Sequence, residues 1–395
     1  MSEAARSGND PDTMLELRLM HEWTAYVCQT FSTAWEFWKY QAPLIAFEHR
    51  YVMDSLLALS ALHASRQRPM QWMPLEGRMV PLRDPRFNSP AMEDLEPSGW
   101  KLDNYRKHIA GLDGSQKKCA LQPADSGNQL YLATKRHFEM LQVSRMYFDR
   151  AIDGQRRALA HINIENIEAI YVTSIVVSFN ALFTLSESED DPTLPAVDPI
   201  QWLRLAASTR LITDKWREFV GPTWLRQSGV FYGKPDMSDE EELFRREHGR
   251  PFEKLLFWGS EYESISDEDR DAYQKALSYI GLIYKGIDED FDHPLATCRR
   301  LIAMPSRLPR RWVELVEQRQ PRAIVMLAHV FAIMKLVDKK TEWFRGVAER
   351  QVPALYETLP NAWKDMMTWP MQVAHGEVDA KPRETEADIG DILRL

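Results

Sequence analysis

From Thr13 the apolar residues Leu15, Leu19, Trp23, Tyr26 and Val27, then Phe31 and Trp35, recur at three- and four-residue intervals. That spacing predicts an amphipathic helix. Pro43 is expected to interrupt it, and Phe47 to Ser65 resumes the period with Ala, Leu and Met, all strong helix formers. From Arg66 to Gly127 the pattern fails: prolines 69, 74, 81, 85, 90, 97 and 123 fall among glycines with no sustained period, which reads as a long irregular insertion. Helical patterning returns from Tyr131 to about Leu159, with Gly154 as an interior weak point. After a break at His161–Asn163, Glu165 to Leu185 carries hardly any polar face, and a helix apolar all round belongs in the middle of a bundle.

Ile200 to Phe219 predicts a further helix, stopped by Gly221-Pro222, and residues 220–270 read as loops and short helices anchored by Trp224, Phe231, Tyr232, Phe252 and Trp258. Helices are expected over Asp269–Ile287, Leu295–Met304 and Leu308–Arg319. Pro321 then opens a second all-apolar helix, Arg322 to Val337. Segments Trp343–Tyr356 and Pro360–Met371 complete the set. No Asn-Gly or Asp-Gly turn sits between alternating apolar runs, so strands are not signalled. The expected fold is all-α, with two central apolar helices at about 166–185 and 322–337 wrapped by about eight others. Residues 1–12 read as a disordered N-terminus, 13–376 as one helical domain interrupted by the insertion 66–127, and 377–395 as a charged tail.

Composition narrows the function. The chain of 395 residues carries 49 Lys+Arg against 58 Asp+Glu, a formal charge of -9, without any run of cations. A large independent nucleic-acid surface needs clustered cations, so none is expected. Cys28, Cys119 and Cys298 are odd in number and far apart, which fits neither a disulfide framework nor a four-thiolate zinc site and points to a reducing, intracellular compartment. The opening MSEAARSGNDPD has no apolar leader segment. Ala169 to Ser186 is free of charge and nearly bilayer-long, but Thr173, Ser174, Ser178 and Asn180 and the lack of basic flanks favour a buried helix over a membrane span.

Glycine-rich phosphate loops, the Gly-x-Ser-x-Gly elbow and His-Glu-x-x-His are all missing, so nucleotide binding, that type of serine hydrolysis and zincin chemistry have no motif behind them, and no cofactor or metal is expected. The carboxylates of Asp288-Glu289-Asp290-Phe291-Asp292 could hold Mg²⁺ against a diphosphate, but a solvated loop or cap is the simpler reading. His329 stands alone as a strongly polar side chain between Ala323 and Met334, and a buried imidazole needs a partner: a hydrogen bond to a neighbouring helix, or the single polar contact of an apolar ligand pocket. Thirteen Trp, 13 Tyr and 16 Phe permit such a pocket and equally permit a tight core.

The segments LELRLMHEWTAYVCQTFS, PLIAFEHRYVMDSLLALSALHAS, ATKRHF with NIENIEAIYVTSIVVSFNALF, and RQPRAIVMLAHVFAIMKLVDKKTEWFRGVAE followed by WPMQV resemble, in that order, the C-terminal regulatory domain of fungal binuclear zinc-cluster transcription factors, most closely the sterol-uptake-control regulators. The resemblance runs from about Leu15 to Val373. It implies an all-helical effector domain that binds a sterol-like hydrophobic small molecule in an apolar pocket, forms a homodimer, controls transcription and divides its time between nucleus and cytoplasm. Phe179, Phe183, His329, Met334 and Trp343 are the expected pocket residues, and Gly346 matches the glycine of the family's Trp-(Phe/Trp)-x-Gly-Trp turn, where Val347 replaces the last aromatic. Two departures stand out. The zinc cluster needs six closely spaced cysteines and this chain has three, so direct DNA binding by the family's mode is not expected of this chain. The insertion 66–127 falls where the family has a short connection, and loops this long inside a compact domain are functional lids, disordered segments or errors of the gene model. The alternative is therefore a stand-alone enzyme of specialised metabolism, cyclising or isomerising a hydrophobic substrate with His329, His137 or Glu139 as acid–base groups. A dimerising cofactor that damps full-length relatives is a third reading.

Overall fold

Two helices with almost no polar face organise everything around them, and the computed structural model shows where each is buried. The structure describes residues 11–31, 36–66, 72–75, 78–81, 126–186, 198–221, 239–258, 265–289, 294–339 and 341–377. The N-terminal dozen apart from its last two residues, the tail beyond Glu377, Cys119 and most of the insertion lie outside them. The expected all-α class holds, and the only strands among the described residues are a short antiparallel hairpin inside the insertion, β1 (Trp72–Leu75) and β2 (Arg78–Pro81), with Trp72 opposite Pro81.

The chain divides into two compact units, one made of Met1–Ser60 with Met146–Leu395 and one of Ala61–Arg145. The first begins with α1 (Pro11–Glu22), which continues through a π-helical turn, Trp23–Val27, and a last turn, Cys28–Thr30. A second π-helical turn, Phe37–Gln41, runs directly into α2 (Ala42–Glu48). Pro43 therefore does not interrupt the chain as expected. It sits in the first turn of α2, where its missing N–H does least harm, and the real break is the extended His49 (φ -127°, ψ 102°) before α3 (Arg50–Arg66). The helix expected as Phe47–Ser65 is thus two helices.

The long α4 (Ser126–Leu159) begins five residues earlier than its apolar period suggested. Gly154, expected to be a weak point, is a close approach: a Cβ there would come within 2.5 Å of the Tyr51 Cβ. The following break is built by two asparagines that cap each other, Asn163 Oδ1 accepting from the N–H groups of Glu165 and Asn166 while Asn166 Oδ1 accepts from the N–H of Asn163.

The first core helix, α5 (Ile167–Thr184), passes the length and composition test for a membrane span, yet 83% of it is buried inside the protein. Its hydroxyls are satisfied locally, as Thr173, Ser174 and Ser178 each donate to the carbonyl four residues back. Gln155 of α4 donates to the Ser174 hydroxyl at 2.6 Å. These bonds explain how Thr173, Ser174 and Ser178 fit inside an apolar environment. Alongside lies α6 (Pro199–Val220), capped by Asp198, whose carboxylate accepts from the Ile200 N–H.

Three short elements follow: α7 (Glu240–Leu243), a 3₁₀ segment Arg246–Phe252, and α8 (Lys254–Phe257). The 3₁₀ segment packs hard against α9 (Asp267–Asp288), so closely that a Cβ on Gly281 would lie 1.8 Å from the His248 carbonyl oxygen. Next come α10 (Pro294–Arg307) and α11 (Arg310–Glu317), tied to α9 by Arg311 Nε donating to Asp269 at 2.6 Å.

The second core helix, α12 (Pro321–Leu336), buries every residue from Arg322 to Met334. It packs on α9, α11, α13 (Val347–Thr358) and α15 (Thr368–Ala374), with the short α14 (Asn361–Lys364) between the last two. The segments expected as single helices, Trp343–Tyr356 and Pro360–Met371, are each interrupted. A 3₁₀ turn Glu342–Phe344 and the left-handed Gly346 (φ 81°) precede α13, and a 3₁₀ turn Asp365–Met367 separates α14 from α15.

Candidate functional site

Helical spacing puts Phe179 and Phe183 on one face of α5, one turn apart. Both rings meet Trp343, at centroid distances of 5.2 and 4.9 Å and interplanar angles of 72° and 62°. These edge-to-face contacts are the arrangement the ring quadrupoles prefer. The Trp343 indole N–H donates to the Thr30 carbonyl at 3.3 Å, one of the last-turn carbonyls that the first helix leaves without an intrahelical donor. This bond brings the 3₁₀ turn after α12 onto the end of the first helix.

Phe31 closes the cluster from that side, 4.3 Å from Phe179, 5.8 Å from Trp343 and 4.5 Å from Trp38. Trp23 and Trp38 complete it, and the indole N–H of Trp23 donates to the Trp38 carbonyl at 2.8 Å. All six rings are buried. Three of the expected pocket residues therefore converge, and Phe31, Trp23 and Trp38 join them. The apolar period over 15–31 marked Phe31 and Trp23 as interior positions, but nothing in it shows which helix they face.

His329 and Met334 belong elsewhere. The His329 imidazole lies stacked on Trp369 of α15 (5.4 Å, 26°) and edge-on to Phe252 (5.6 Å), with Tyr284 of α9 closing the nest against both Phe252 and Trp369. Its Nδ1 lies 2.8 Å from the Val325 carbonyl, so Nδ1 carries the proton and donates it. Burial pushes the imidazole down to about 4, and the ring is neutral at neutral pH. The partner is thus a carbonyl of its own helix, not the neighbouring helix the sequence suggested. Met334 is fully buried near the end of α12.

Gly346 takes a left-handed conformation at the N-cap of α13, and a Cβ there would lie 3.3 Å from the Ser186 Cβ. Of the other acid–base candidates, Glu139 is exposed on α4, in the Ala61–Arg145 unit, and the His137 side chain lies outside the described residues. Asp290 and Asp292 of the acidic run also lie outside them, and among the described residues no three His, Cys, Asp or Glu side chains gather as a metal site.

A buried cation escaped the sequence reading. Arg322, at the start of α12, is fully buried, donates to the carbonyls of Leu255 and Trp258 at the end of α8, and lies over the rings of Trp363 (5.0 Å) and Tyr273 (5.6 Å). A cation at a helix N-terminus opposes the helix dipole, so Arg322 is held there by what it caps: carbonyls at the C-terminal end of another helix, where positive charge is favoured.

No family model matches the chain. Over an aligned length of 403 residues, the chain is 22% identical to a Zn(2)-C6 fungal-type transcription factor of Gibberella zeae, covering 95% of this chain and 64% of that protein. It is 20% identical over 339 residues to the Zn(2)-C6 fungal-type transcription factor afumD of Aspergillus fumigatus, covering 82% of this chain and 69% of that protein. The chain's homologues are fungal Zn(2)-C6 transcription factors, at low identity over most of its length. The chain spans just under two thirds of the Gibberella protein.

Proposed function

We propose that this chain is the ligand-sensing regulatory domain of a fungal zinc-cluster-type transcription regulator, acting in the nucleus and cytoplasm, and that its ligand is a sterol-like hydrophobic small molecule. The observation that carries the regulatory part is the alignment with Zn(2)-C6 transcription factors over 95% of the chain. What supports the ligand part is the character of the core: an apolar cluster of large rings around Phe179, Phe183 and Trp343, of the kind that lines sites for rigid hydrocarbons. In this reading ligand favours one of two packings of the helices and so hides or exposes a surface for a partner, a second copy of the chain included.

Purified protein titrated with ergosterol tests this directly. A ligand that binds only the native state raises its stability by mass action, about 2.7 kcal/mol at a hundredfold excess over Kd. The expected result is a rise of a few degrees in the unfolding midpoint that saturates with sterol. No shift with ergosterol, cholesterol or lanosterol at saturation rejects sterol sensing. Size-exclusion chromatography with light scattering, with and without sterol, tests the homodimer.

A further inference from the structure

The two π-helical turns under the ring cluster are not independent, and the reason lies in Pro43. In an uninterrupted α-helix Pro43 would press its ring against the Lys39 carbonyl. The π turn Phe37–Gln41 avoids that geometry by widening the helix just before the proline, and the Ala42 N–H accordingly donates to the Phe37 carbonyl five residues back. This leaves the Trp38 carbonyl without a backbone donor, since the N–H that would serve it in a π turn is that of residue 43 and proline has none. The Trp23 indole N–H fills the gap at 2.8 Å, coming from the other π turn, Trp23–Val27, in which the Cys28 N–H likewise reaches back five residues to the Trp23 carbonyl.

One acceptor thus has two possible donors. With Trp23 bound, the turn is π and Trp38 stacks on Phe31 in the cluster. If the turn relaxes to α against the Pro43 clash, the Ala42 N–H takes the Trp38 carbonyl, that carbonyl swings away from the Trp23 indole, and Phe37 and Trp38 rotate by about one residue step, roughly 100°, relative to α2. That rotation would carry the Trp38 indole off Phe31 and uncover the ring face it packs on.

We propose that this ring cluster is the chamber for a flat, apolar, fused-ring molecule, that Trp38 is the side chain the ligand displaces, and that the bond from Trp23 to the Trp38 carbonyl latches the chamber shut. The proposal rests on the ligand-sensing reading above and adds the place of entry and the element that moves.

Two substitutions open the latch from opposite sides: Trp23→Phe removes the competing donor but keeps a ring, and Pro43→Ala removes the clash that enforces the π turn. The readouts are hydrogen–deuterium exchange and binding of the dye 1-anilinonaphthalene-8-sulfonate, both independent of any sterol. Each variant is expected to raise exchange over residues 38–42 and dye affinity by about tenfold, the worth of one hydrogen bond, while α5 and α12 exchange as in the parent chain. Parent-like exchange and dye binding in both variants overturns the latch. A response of Trp23→Phe alone also overturns it, because lost packing would then suffice. Ergosterol added to the parent chain is expected to protect residues 23–31 and to raise exchange over 38–42, as opening the latch does. Protection confined to other segments overturns the chamber and leaves ligand sensing standing, whereas variants that open as expected in a protein that binds no sterol uphold the latch and reject the sterol.

Discussion

At the scale of single residues, His329 shows how an isolated polar side chain can mislead. Its sequence setting, one imidazole in an apolar helix, suits a ligand contact as well as a structural role. The structure spends its one N–H on the Val325 carbonyl and packs its faces against Trp369 and Phe252. A neutral ring buried in this way makes a pH prediction. Its folded-state pKa lies near 4 against 6.5 for the free group, so the unfolded chain binds the proton first as pH falls. Stability from this site is complete above pH 6.5, drains between 6.5 and 4, and levels off below 4; the full loss is about 3 kcal/mol. Urea midpoints of the parent chain and of His329→Leu at pH 7 and pH 4.5 check this: the variant should lose markedly less stability on acidification, and equal losses would place the titration elsewhere. Gly346 makes a second test at this scale. At φ 81° an alanine is strained, and its Cβ would also crowd Ser186, so Gly346→Ala is expected to cost about 2 kcal/mol in chemical denaturation.

At the scale of elements, the long apolar helices were legible in the sequence and the joints between them were not. The helix expected at 165–185 is found at Ile167–Thr184 and the one expected at 322–337 at Pro321–Leu336, because a pattern apolar on every face has few alternatives. Phe179, Phe183 and Trp343 were legible as interior residues, and they do meet. Their partners Phe31 and Trp38 come from the first 40 residues, and only tertiary contact brings them there. Pro43 misled because proline marks either a stop or a first turn, and only the π turn before it decides between them. The glycines of α9 had no signal at all. Gly281 reads as an ordinary helix-weakening residue, yet it admits the His248 carbonyl to a distance no side chain allows. Gly281→Ala should therefore push the 3₁₀ segment Arg246–Phe252 off α9 and cost about 3 kcal/mol or more, where an exposed helical Gly→Ala change would stabilise. Because Phe252 belongs to that segment and packs on His329, near-ultraviolet circular dichroism should change with it; a silent substitution would show that the crossing is looser than the geometry implies.

At the scale of the whole molecule, the question is which part of the chain the proposed activity needs. Every ring of the candidate chamber, from Trp23 and Phe31 through Phe179 and Phe183 to Trp343, belongs to the unit made of Met1–Ser60 and Met146–Leu395. So do His329, Met334 and Gly346. The insertion belongs to the unit Ala61–Arg145, which also holds Glu139 and His137, two of the three acid–base candidates of the enzymatic alternative. Apart from His329, the residues of the two readings therefore divide along the units, and one deletion separates them. Replacing residues 67–125 by a Gly/Ser linker of about 20 residues, long enough to behave as a flexible coil, leaves α3 and α4 in place. If the chain senses a ligand in its helical core, the shortened protein should still unfold cooperatively, and ergosterol should raise its midpoint as it does in the parent. If the insertion is a lid over a reacting substrate, sterol-like ligands should lose most of their effect on stability, because a lid contributes to binding by excluding water. Retained stabilisation by sterol in the shortened chain would make the insertion an addition to a sensor core, and lost stabilisation in a protein that still folds would move the site, and with it the function, toward the inserted segment.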